Sequence, residues 1–529
     1  MRVKNPNIFL VVIMTITLLL SGCMKKETEK SDSTNKDLLS LDPHGVYYEI
    51  FVRSFADSDG DGIGDLNGAI SKLDYLVDLG IEGIWLMPIN PSPSYHGYDV
   101  TDYREINPEY GSLQDMKRFV TEAHRKGIKV IMDLVINHTS KEHKWFQKAL
   151  AGEGKFKDYY VWSDENTNIS ALGEWSQKVW HGSTDEKYEG IFWDGMPDLN
   201  FDNHDVRDEI IDIAKYWLEE IGVDGFRLDA AKHIYSESSS KNAEEKNHEW
   251  WREFREVLAQ INPEVILVGE VWDSAAIVAP YLDEGLTSAF NFDLSTKILE
   301  SVKQENDNGI VTTLIRTREY FHKISNGKFI DSIFLTNHDM PRVMTELNGN
   351  IDHAKMAASL LLTLPGNPFL YYGEEIGLKG PKPDEEIREP FIWKKNKNAP
   401  EQTTWQISKH NRNGEQVAVE AQMEDESSLL HHYRKMIRIR RSNTALRAGE
   451  IERAFTKVDG MVNFKRVNDG DEVLVLHNLT NENKSFFLAE QEQEFSSVLD
   501  KTDEKVEIKK EGNKVSVLMP PYTSFILRK

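Results

Sequence analysis

Eight short runs rich in β-branched and aromatic residues, at 46–52, 83–89, 130–136, 225–229, 265–271, 289–292, 332–336 and 368–372, alternate with helical patterns along most of the chain. The stretches between them, at 66–79, 113–126, 207–220 and 250–261 for example, carry apolar residues three and four positions apart, as one face of a helix requires. Strands joined through helices run parallel, so eight such units predict an α/β fold, a closed (β/α)8 TIM barrel spanning 41–445. Residues 138–203 are too long for a simple connection and are rich in Trp, Gly and Asp, which predicts an inserted subdomain after the third strand. Beyond a helix at 429–441, short alternating strands at 462–466, 472–476, 484–488 and 514–519 predict a C-terminal all-β sandwich over 446–529.

At 529 residues the chain exceeds the roughly 250–300 at which one core stops growing, in keeping with more than one domain. Lys and Arg number 63 against 87 Asp and Glu, and the net charge of −24 argues against nucleic acid or an anionic membrane surface as a partner. A neutral polymer is compatible with it. The single cysteine, Cys23, excludes an intrachain disulfide. It follows Arg2, Lys4, an apolar run at 8–20 and Leu20-Ser21-Gly22, a run too short to span a bilayer comfortably. This segment resembles a bacterial lipobox. The resemblance implies a signal peptide at 1–22, lipidation of Cys23, a flexible tether at 23–40, and an extracytoplasmic monomer anchored to a bacterial membrane by lipid alone.

In a (β/α)8 barrel the reactive groups gather at the C-terminal strand ends. Four predicted strands end in polar strings: Asp133-Leu134-Val135-Ile136-Asn137-His138, Gly225-Phe226-Arg227-Leu228-Asp229 continued by Ala230-Ala231-Lys232-His233, Gly269-Glu270-Val271-Trp272, and Phe334-Leu335-Thr336-Asn337-His338-Asp339. Singly, an acid closing a strand is as readily a helix cap as a catalyst. In this order and on these strands, the four strings resemble the signature regions of glycoside hydrolase family 13, the α-amylase family, over roughly 44–445.

The resemblance implies a retaining α-glucoside hydrolase with Asp229 as nucleophile, Glu270 as general acid/base and Asp339 as the acid that steadies the transition state. Arg227, on the same strand face as Asp229, is expected to keep it ionised, and burial to keep Glu270 protonated. His138, Asn337 and His338 match family positions around the cleaved sugar. His96, Tyr98 and Asp99, from Tyr95-His96-Gly97-Tyr98-Asp99, match a segment that adds a stacking aromatic and a histidine there. Lys232 and His233 match a pair that meets the leaving-side sugar. Asp99 is also where the α-glucosidase branch closes an exo-acting pocket, which leaves endo or exo action open.

Asp57-Ser58-Asp59-Gly60-Asp61-Gly62-Ile63-Gly64-Asp65 places oxygen ligands at alternate positions, as in the first part of an EF-hand loop, and predicts Ca²⁺ held by Asp57, Asp59, Asp61, the Ile63 carbonyl and Asp65. Gly68 stands where an EF-hand has its bidentate Glu. A second calcium of other branches would use Asn137, Asp198 and the His233 carbonyl. Met196-Pro197-Asp198-Leu199-Asn200 and Lys232-His233 resemble neopullulanases and α-1,4-acting amylases, whereas the calcium loop and Gly373-Glu374-Glu375 resemble the oligo-1,6-glucosidases. The mixture is similar to an intermediate subgroup that contains lipoprotein α-amylases. An α-amylase cleaving internal α-1,4 bonds of starch and maltooligosaccharides, with transglycosylation, is expected; the alternatives are an exo-acting α-glucosidase, a neopullulanase, or a non-catalytic glycan-binding lipoprotein.

Overall fold

The structure is a computed structural model that describes residues 43–183, 186–396, 398–412 and 414–529. The expected signal peptide, Cys23 and the tether lie outside the described residues. Among the described residues no helix is long and apolar enough to cross a membrane.

In chain order the strands of the first region are β1 (Tyr47–Ile50), β2 (Gly83–Leu86), β3 (Lys129–Leu134), β4 (Trp180–Gly182), β5 (Lys187–Glu189), β6 (Gly225–Leu228), β7 (Ile266–Gly269), β8 (Ser288–Ala289), β9 (Ser332–Phe334) and β10 (Asn367–Tyr371). Eight of them form one parallel sheet in the order β8-β7-β6-β3-β2-β1-β10-β9, while β4 and β5 pair as a separate hairpin. The two ends of the eight-stranded sheet meet through a parallel bridge between Phe290 and Ser332 and a 3.0 Å hydrogen bond from the Asn291 N–H to the Ser332 carbonyl. The Ser288 and Ser332 hydroxyls, 2.6 Å apart, extend that seam. The barrel is thus nearly closed, with one junction held by fewer backbone bonds than the rest.

The two-residue period of the strands sorts their side chains into two cores. Tyr47, Trp85, Ile131, Val268, Phe290, Phe334 and Phe369 pack together inside the barrel. Their neighbours Tyr48, Ile84, Met132, Leu267, Ile333 and Leu370 join the larger core between strands and helices. Space inside is tight: a Cβ on Gly83 would fall 2.2 Å from a carbon of the Tyr47 ring. Two residues beyond Tyr47, Ile131, Gly225 and Val268 the inward positions become Glu49, Asp133, Arg227 and Glu270, so an apolar plug is topped by charge at the C-terminal mouth.

Several strands are shorter than the sequence predicts, because their C-terminal residues leave the ladder to line the mouth. The predicted helix at 66–79 is two, Leu66–Ser71 and Leu73–Leu79, broken at Lys72. The one predicted at 207–220 runs as His204–Tyr216 and ends in a π turn, Trp217–Ile221. The insertion carries the helix Lys144–Leu150, the 3-10 turn Gly154–Tyr159 and the β4–β5 hairpin, and is tied to the barrel by a bridge between His138 and Asp198.

Eight further strands follow: β11 (Glu450–Arg453), β12 (Met461–Asn468), β13 (Asp471–Asn478), β14 (Lys484–Phe487), β15 (Ser497–Lys501), β16 (Glu507–Glu511), β17 (Lys514–Met519) and β18 (Ser524–Arg528). They make a five-stranded sheet, β11-β12-β13-β18-β15, and a three-stranded sheet, β14-β17-β16. Leu474, Leu476, Phe525 and Leu527 face Val515, Val517 and Met519 in the core between the sheets, whereas Val473, Val475 and Ile526 belong to the core of the barrel. Burial on both faces explains why β13 reads as an unbroken apolar run, Val473-Leu474-Val475-Leu476, where a half-exposed strand would alternate.

Candidate active site

Arg227 is the hub of the mouth. Projecting inward from β6 and only 1% exposed, it spreads its guanidinium over three carboxylates: Nη1 lies 2.7 Å from Asp229 Oδ1 and 2.9 Å from Asp133 Oδ1, and Nη2 lies 2.9 Å from Glu270 Oε2. One planar fork therefore fixes acids from β3, from the end of β6 and from the end of β7. Ala230, directly after Asp229, takes a left-handed conformation (φ 48°) that L side chains seldom adopt, and its N–H donates to Glu270 Oε2 at 3.1 Å. The strained turn thus serves the neighbouring strand's acid.

A second cluster stands across the mouth. His338 is fully buried, with Nδ1 2.6 Å from Glu49 Oε1 and Nε2 3.1 Å from Asp339 Oδ2. Arg388 Nη2 donates to Asp339 Oδ1 at 2.8 Å. The Tyr98 ring stacks on the His338 ring with centroids 5.5 Å apart, and its hydroxyl donates to Asp133 Oδ2 at 3.2 Å, joining the two clusters.

Exposure separates the acids by role. The side chains of Asp133 and Glu49 are 0% and 2% exposed, but those of Asp229, Glu270 and Asp339 keep 11%, 16% and 33%. Only the latter three of these five can meet a substrate.

Their protonation follows from their partners. Burial pushes Asp229 up to about 6; Arg227 pulls against it and Asp133 adds to it. Arg227 thus moderates the effect of burial on Asp229 without cancelling it. Burial also raises Glu270, opposed by Arg227 and assisted by the Asp229 and Asp339 charges. For Asp339 burial is overcome by the His338 and Arg388 cations, which hold its carboxyl well below the usual range. Burial disfavours charge on His338 as well, yet Asp339 and Glu49 push it up to about 10. The site therefore combines a carboxylate held ionised, Asp339, with two carboxyl groups, Asp229 and Glu270, whose burial favours the protonated form.

Residues 49–449 match the family model described as Alpha amylase, catalytic domain, and residues 461–526 the one described as Alpha-amylase SusG C-terminal domain. The chain belongs to the α-amylase family. Among its relatives in that family, Alpha-amylase 3 of Dictyoglomus thermophilum is 46% identical over 92% of this chain and 93% of its own. A 4-alpha-glucanotransferase of Thermotoga maritima is 36% identical over 83% of this chain and 97% of its own. The crystal structure of an alpha-amylase from H. orenii superposes with a TM-score of 0.85 at 43% identity, covering 92% of this chain and all of that one.

Several residues expected to touch sugar in this α-amylase-family site are held by protein partners. His138 is 1% exposed; its Nε2 is bonded to the Tyr98 carbonyl at 2.9 Å, its Nδ1 lies 3.3 Å from Asn137 Nδ2, and burial lowers it to about 4. It is a neutral brace for the Tyr98 backbone. Asn337 uses its Oδ1 to accept from the Asp339 N–H at 3.0 Å, and His338 reaches the site only through Asp339 and Tyr98. Asp99 is buried and accepts from the Ser92 and Ser94 hydroxyls. The physical reason is common to all four: a buried polar group takes the nearest protein partner, and at a strand end that partner is a neighbouring turn. His96, half-buried, accepts at Nδ1 from the Tyr98 N–H (3.1 Å), with burial lowering it. Lys232 Nζ is held by Glu174 and Asp273, and His233, beside it, is lowered to about 4 by burial.

Glu49 and Arg388 were not anticipated. Glu49 had a signal, an acid inside the apolar run 46–52; Arg388 had none, since it lies far from every motif and meets Asp339 only in three dimensions.

In the Asp-rich loop, Asp57, Asp59 and Asp61 each bring a carboxylate oxygen within 4.8 Å of the others. Asp65 caps the helix Leu66–Ser71 through Gly68 N (2.8 Å) and accepts from Ser58 N (2.7 Å), as Asp57 accepts from Gly60 N (2.7 Å) and Gly62 N (2.8 Å). The three gathered carboxylates are hard oxygen donors suited to Ca²⁺, and Asp65 shapes the loop. Elsewhere, Asn137 Nδ2 donates to Asp198 Oδ1 at 3.1 Å, and Asn137 Oδ1 is buried without a partner.

Proposed function

We propose that this chain is a retaining α-amylase that opens internal α-1,4 bonds of starch and maltooligosaccharides and also transfers glycosyl units to sugar acceptors. The observation that carries it is the Arg227 fork, which presents Asp229 and Glu270 side by side at the open mouth. Asp229, ionised, attacks the anomeric carbon while Glu270, protonated, gives its proton to the departing glycosidic oxygen. The resulting Glu270 carboxylate then takes a proton from the incoming water or sugar hydroxyl, whose oxygen displaces Asp229 from the anomeric carbon. Two inversions leave the α anomer. Asp339, ionised throughout, faces the positive charge that develops on the sugar ring. The 4-alpha-glucanotransferase relative supports transfer, and the serine-bound Asp99 supports an open cleft over an exo pocket.

Time-resolved product analysis on starch, pullulan and maltotriose tests this reading. Mixed maltooligosaccharides appear early from starch; glucose as the sole early product would overturn endo action. Activity should follow a bell-shaped pH curve. Its acid limb lies near pH 6, where Asp229 takes up a proton, and its alkaline limb, where Glu270 loses one, is shifted upward by burial of that carboxyl.

Asp57, Asp59, Asp61, Asp65 and the Ile63 carbonyl would hold a Ca²⁺ that ties the loop ahead of the helix Leu66–Ser71; the orphaned Asn137 Oδ1, with Asp198 and the His233 carbonyl, suits a second. Metal there stabilises the fold and takes no part in the chemistry. At free Ca²⁺ one hundred times its Kd, one site contributes about 2.7 kcal/mol. Calorimetry with and without EDTA should show a lower Tm on chelation, and Asp59→Ala should shrink that difference. The N-terminal sequence supports export and lipid anchoring at Cys23, and the motif mixture supports the intermediate subgroup.

A further inference from the structure

Glu49 sits within β1, its backbone laddered to Trp85 of β2 on one side and to Tyr371 of β10 on the other. Its side chain is almost fully enclosed, and Oε1 stands 2.6 Å from His338 Nδ1, short enough for a charge-assisted bond. The Tyr98 ring stacks on the imidazole with centroids 5.5 Å apart, and the Trp85 ring meets it edge-on at 5.5 Å. The plane of the imidazole is therefore fixed, and what varies is which of its nitrogens carries hydrogen.

Nε2 faces two oxygens, the Tyr98 hydroxyl at 2.6 Å and Asp339 Oδ2 at 3.1 Å. Tyr98 has one hydroxyl hydrogen and gives it to Asp133 Oδ2 at 3.2 Å, so its oxygen is left to accept from His338. Nε2 thus carries hydrogen. Two carboxylates beside one ring keep the second proton on Nδ1 instead of on Glu49. Burial opposes charge on the ring, but Asp339 and Glu49 outweigh it and raise His338 to about 10. The bonds then run outward from His338 to Glu49, to Asp339 and, through Tyr98, to Asp133.

Charges alternate along the same line. Arg388 Nε donates to the His338 carbonyl at 3.1 Å and Nη2 to Asp339 at 2.8 Å, so two acids and two cations are interleaved. Without the Glu49 charge, two buried cations would face Asp339, and His338 is the one that can shed its proton. Farther off, Asp133 of β3 acts on His338, while Arg227 of β6 acts on Glu49, which in turn acts on Tyr371 and Glu374 at the β10 side. Burial raises the last two, Glu374 to about 8, so neither supplies the negative charge of Glu49 near neutral pH.

We propose that Glu49 is a positioning residue of the active site: its charge keeps His338 doubly protonated, which holds Asp339 in place and the Tyr98 hydroxyl turned to Asp133. The inference rests on the glycosidase reading above, in which Asp339 faces the charge that develops on the sugar ring. Were Nε2 to lose its hydrogen, its lone pair would repel Asp339 Oδ2, and the Tyr98 hydroxyl would turn to donate to Nε2 and leave Asp133. Both clusters at the mouth would be rearranged from one residue enclosed beneath them.

The experiment follows His338 by proton–nitrogen NMR in the full chain labelled at histidine, with His338→Asn used to assign its signals. Wild type should keep both N–H groups to about pH 8. Glu49→Gln still offers an oxygen to Nδ1 but carries no charge, and its His338 should titrate about 1–3 pH units below wild type. On maltotriose at neutral pH, kcat of Glu49→Gln should fall about tenfold with KM within about twofold, because the loss is felt where charge develops. Its activity should decline further as the pH rises through the lowered His338 value. Glu49→Asp, which keeps the charge, should restore the doubly protonated ring. A wild-type His338 that titrates near the ordinary value of about 6.5 overturns the inference, whether or not Glu49→Gln folds. So does a folded Glu49→Gln in which either the His338 titration or kcat matches wild type. A wild type that frees no reducing ends from any α-glucan overturns the glycosidase reading itself, while the imidazole spectrum still reports on Glu49.

Discussion

Asp229→Ala is expected to lower kcat by on the order of 10⁴-fold or more while the protein stays folded, because it removes the carboxylate proposed to form the covalent intermediate. Asp229 contributes little apolar packing. Its removal frees Arg227 Nη1 from one partner but leaves Asp133 at 2.9 Å and Glu270 at 2.9 Å to balance the charge. Circular dichroism and the thermal midpoint should therefore stay close to wild type while initial rates on maltooligosaccharides collapse. Glu270→Gln keeps the shape and loses the proton, which places its cost in the range of about 10²–10⁴-fold typical of general acid–base catalysis. The smaller loss should appear with substrates whose leaving group needs no protonation. Near-wild-type turnover in either variant sinks the assignment of roles.

Arg227→Leu should be the most damaging single change to stability. It takes away the cation that faces Asp133, Asp229 and Glu270, two of them fully or almost fully enclosed. Breaking a buried charge cluster from one side costs about 3–5 kcal/mol, since the remaining charges are left without compensation. The carboxyl groups respond by taking up protons. Arg227 lowers all three, so without it Asp229 rises above its value of about 6 and Glu270 and Asp133 rise further. The acid limb of the pH–rate profile must then move to higher pH, with denaturant unfolding showing the lost stability. An unchanged acid limb in a folded Arg227→Leu protein would contradict the fork as the source of the charge balance. Arg227→Lys should rescue only part of either property, because an ammonium cannot reach three carboxylates in one plane.

The stability held by His338 has the opposite pH sense. Its folded value is raised to about 10, above the ordinary value near 6.5. That contribution is fully present below about pH 6.5 and is lost as the pH climbs through about 10. His338→Asn should accordingly narrow the stability difference from wild type at alkaline pH and show it in full at mildly acidic pH, as read by urea unfolding across that range.

What the sequence by itself determined is whatever depends on local periodicity and on neighbours along the chain. Eight β-branched runs separated by helical faces pointed to a parallel α/β sheet, and their number matched a closed barrel, because strands of two-residue period and helices of 3.6-residue period bury their apolar faces against each other. The same period put Arg227 and Asp229 on one face of β6 and Glu270 two positions past Val268 on β7, and the resemblance of these strand ends to the α-amylase family implied their roles. Only the tertiary structure decided how charge is apportioned among them, since an electrostatic field sums over groups distant in the chain. Arg388 meets Asp339 from 49 positions away, and Glu49 meets His338 from 289. Burial decided the rest: it turned His138, Asn337 and Asp99 toward protein partners, and it joined β13 to two cores at once. A polar side chain's partner depends on what folds against it, and no spacing within a motif carries that information.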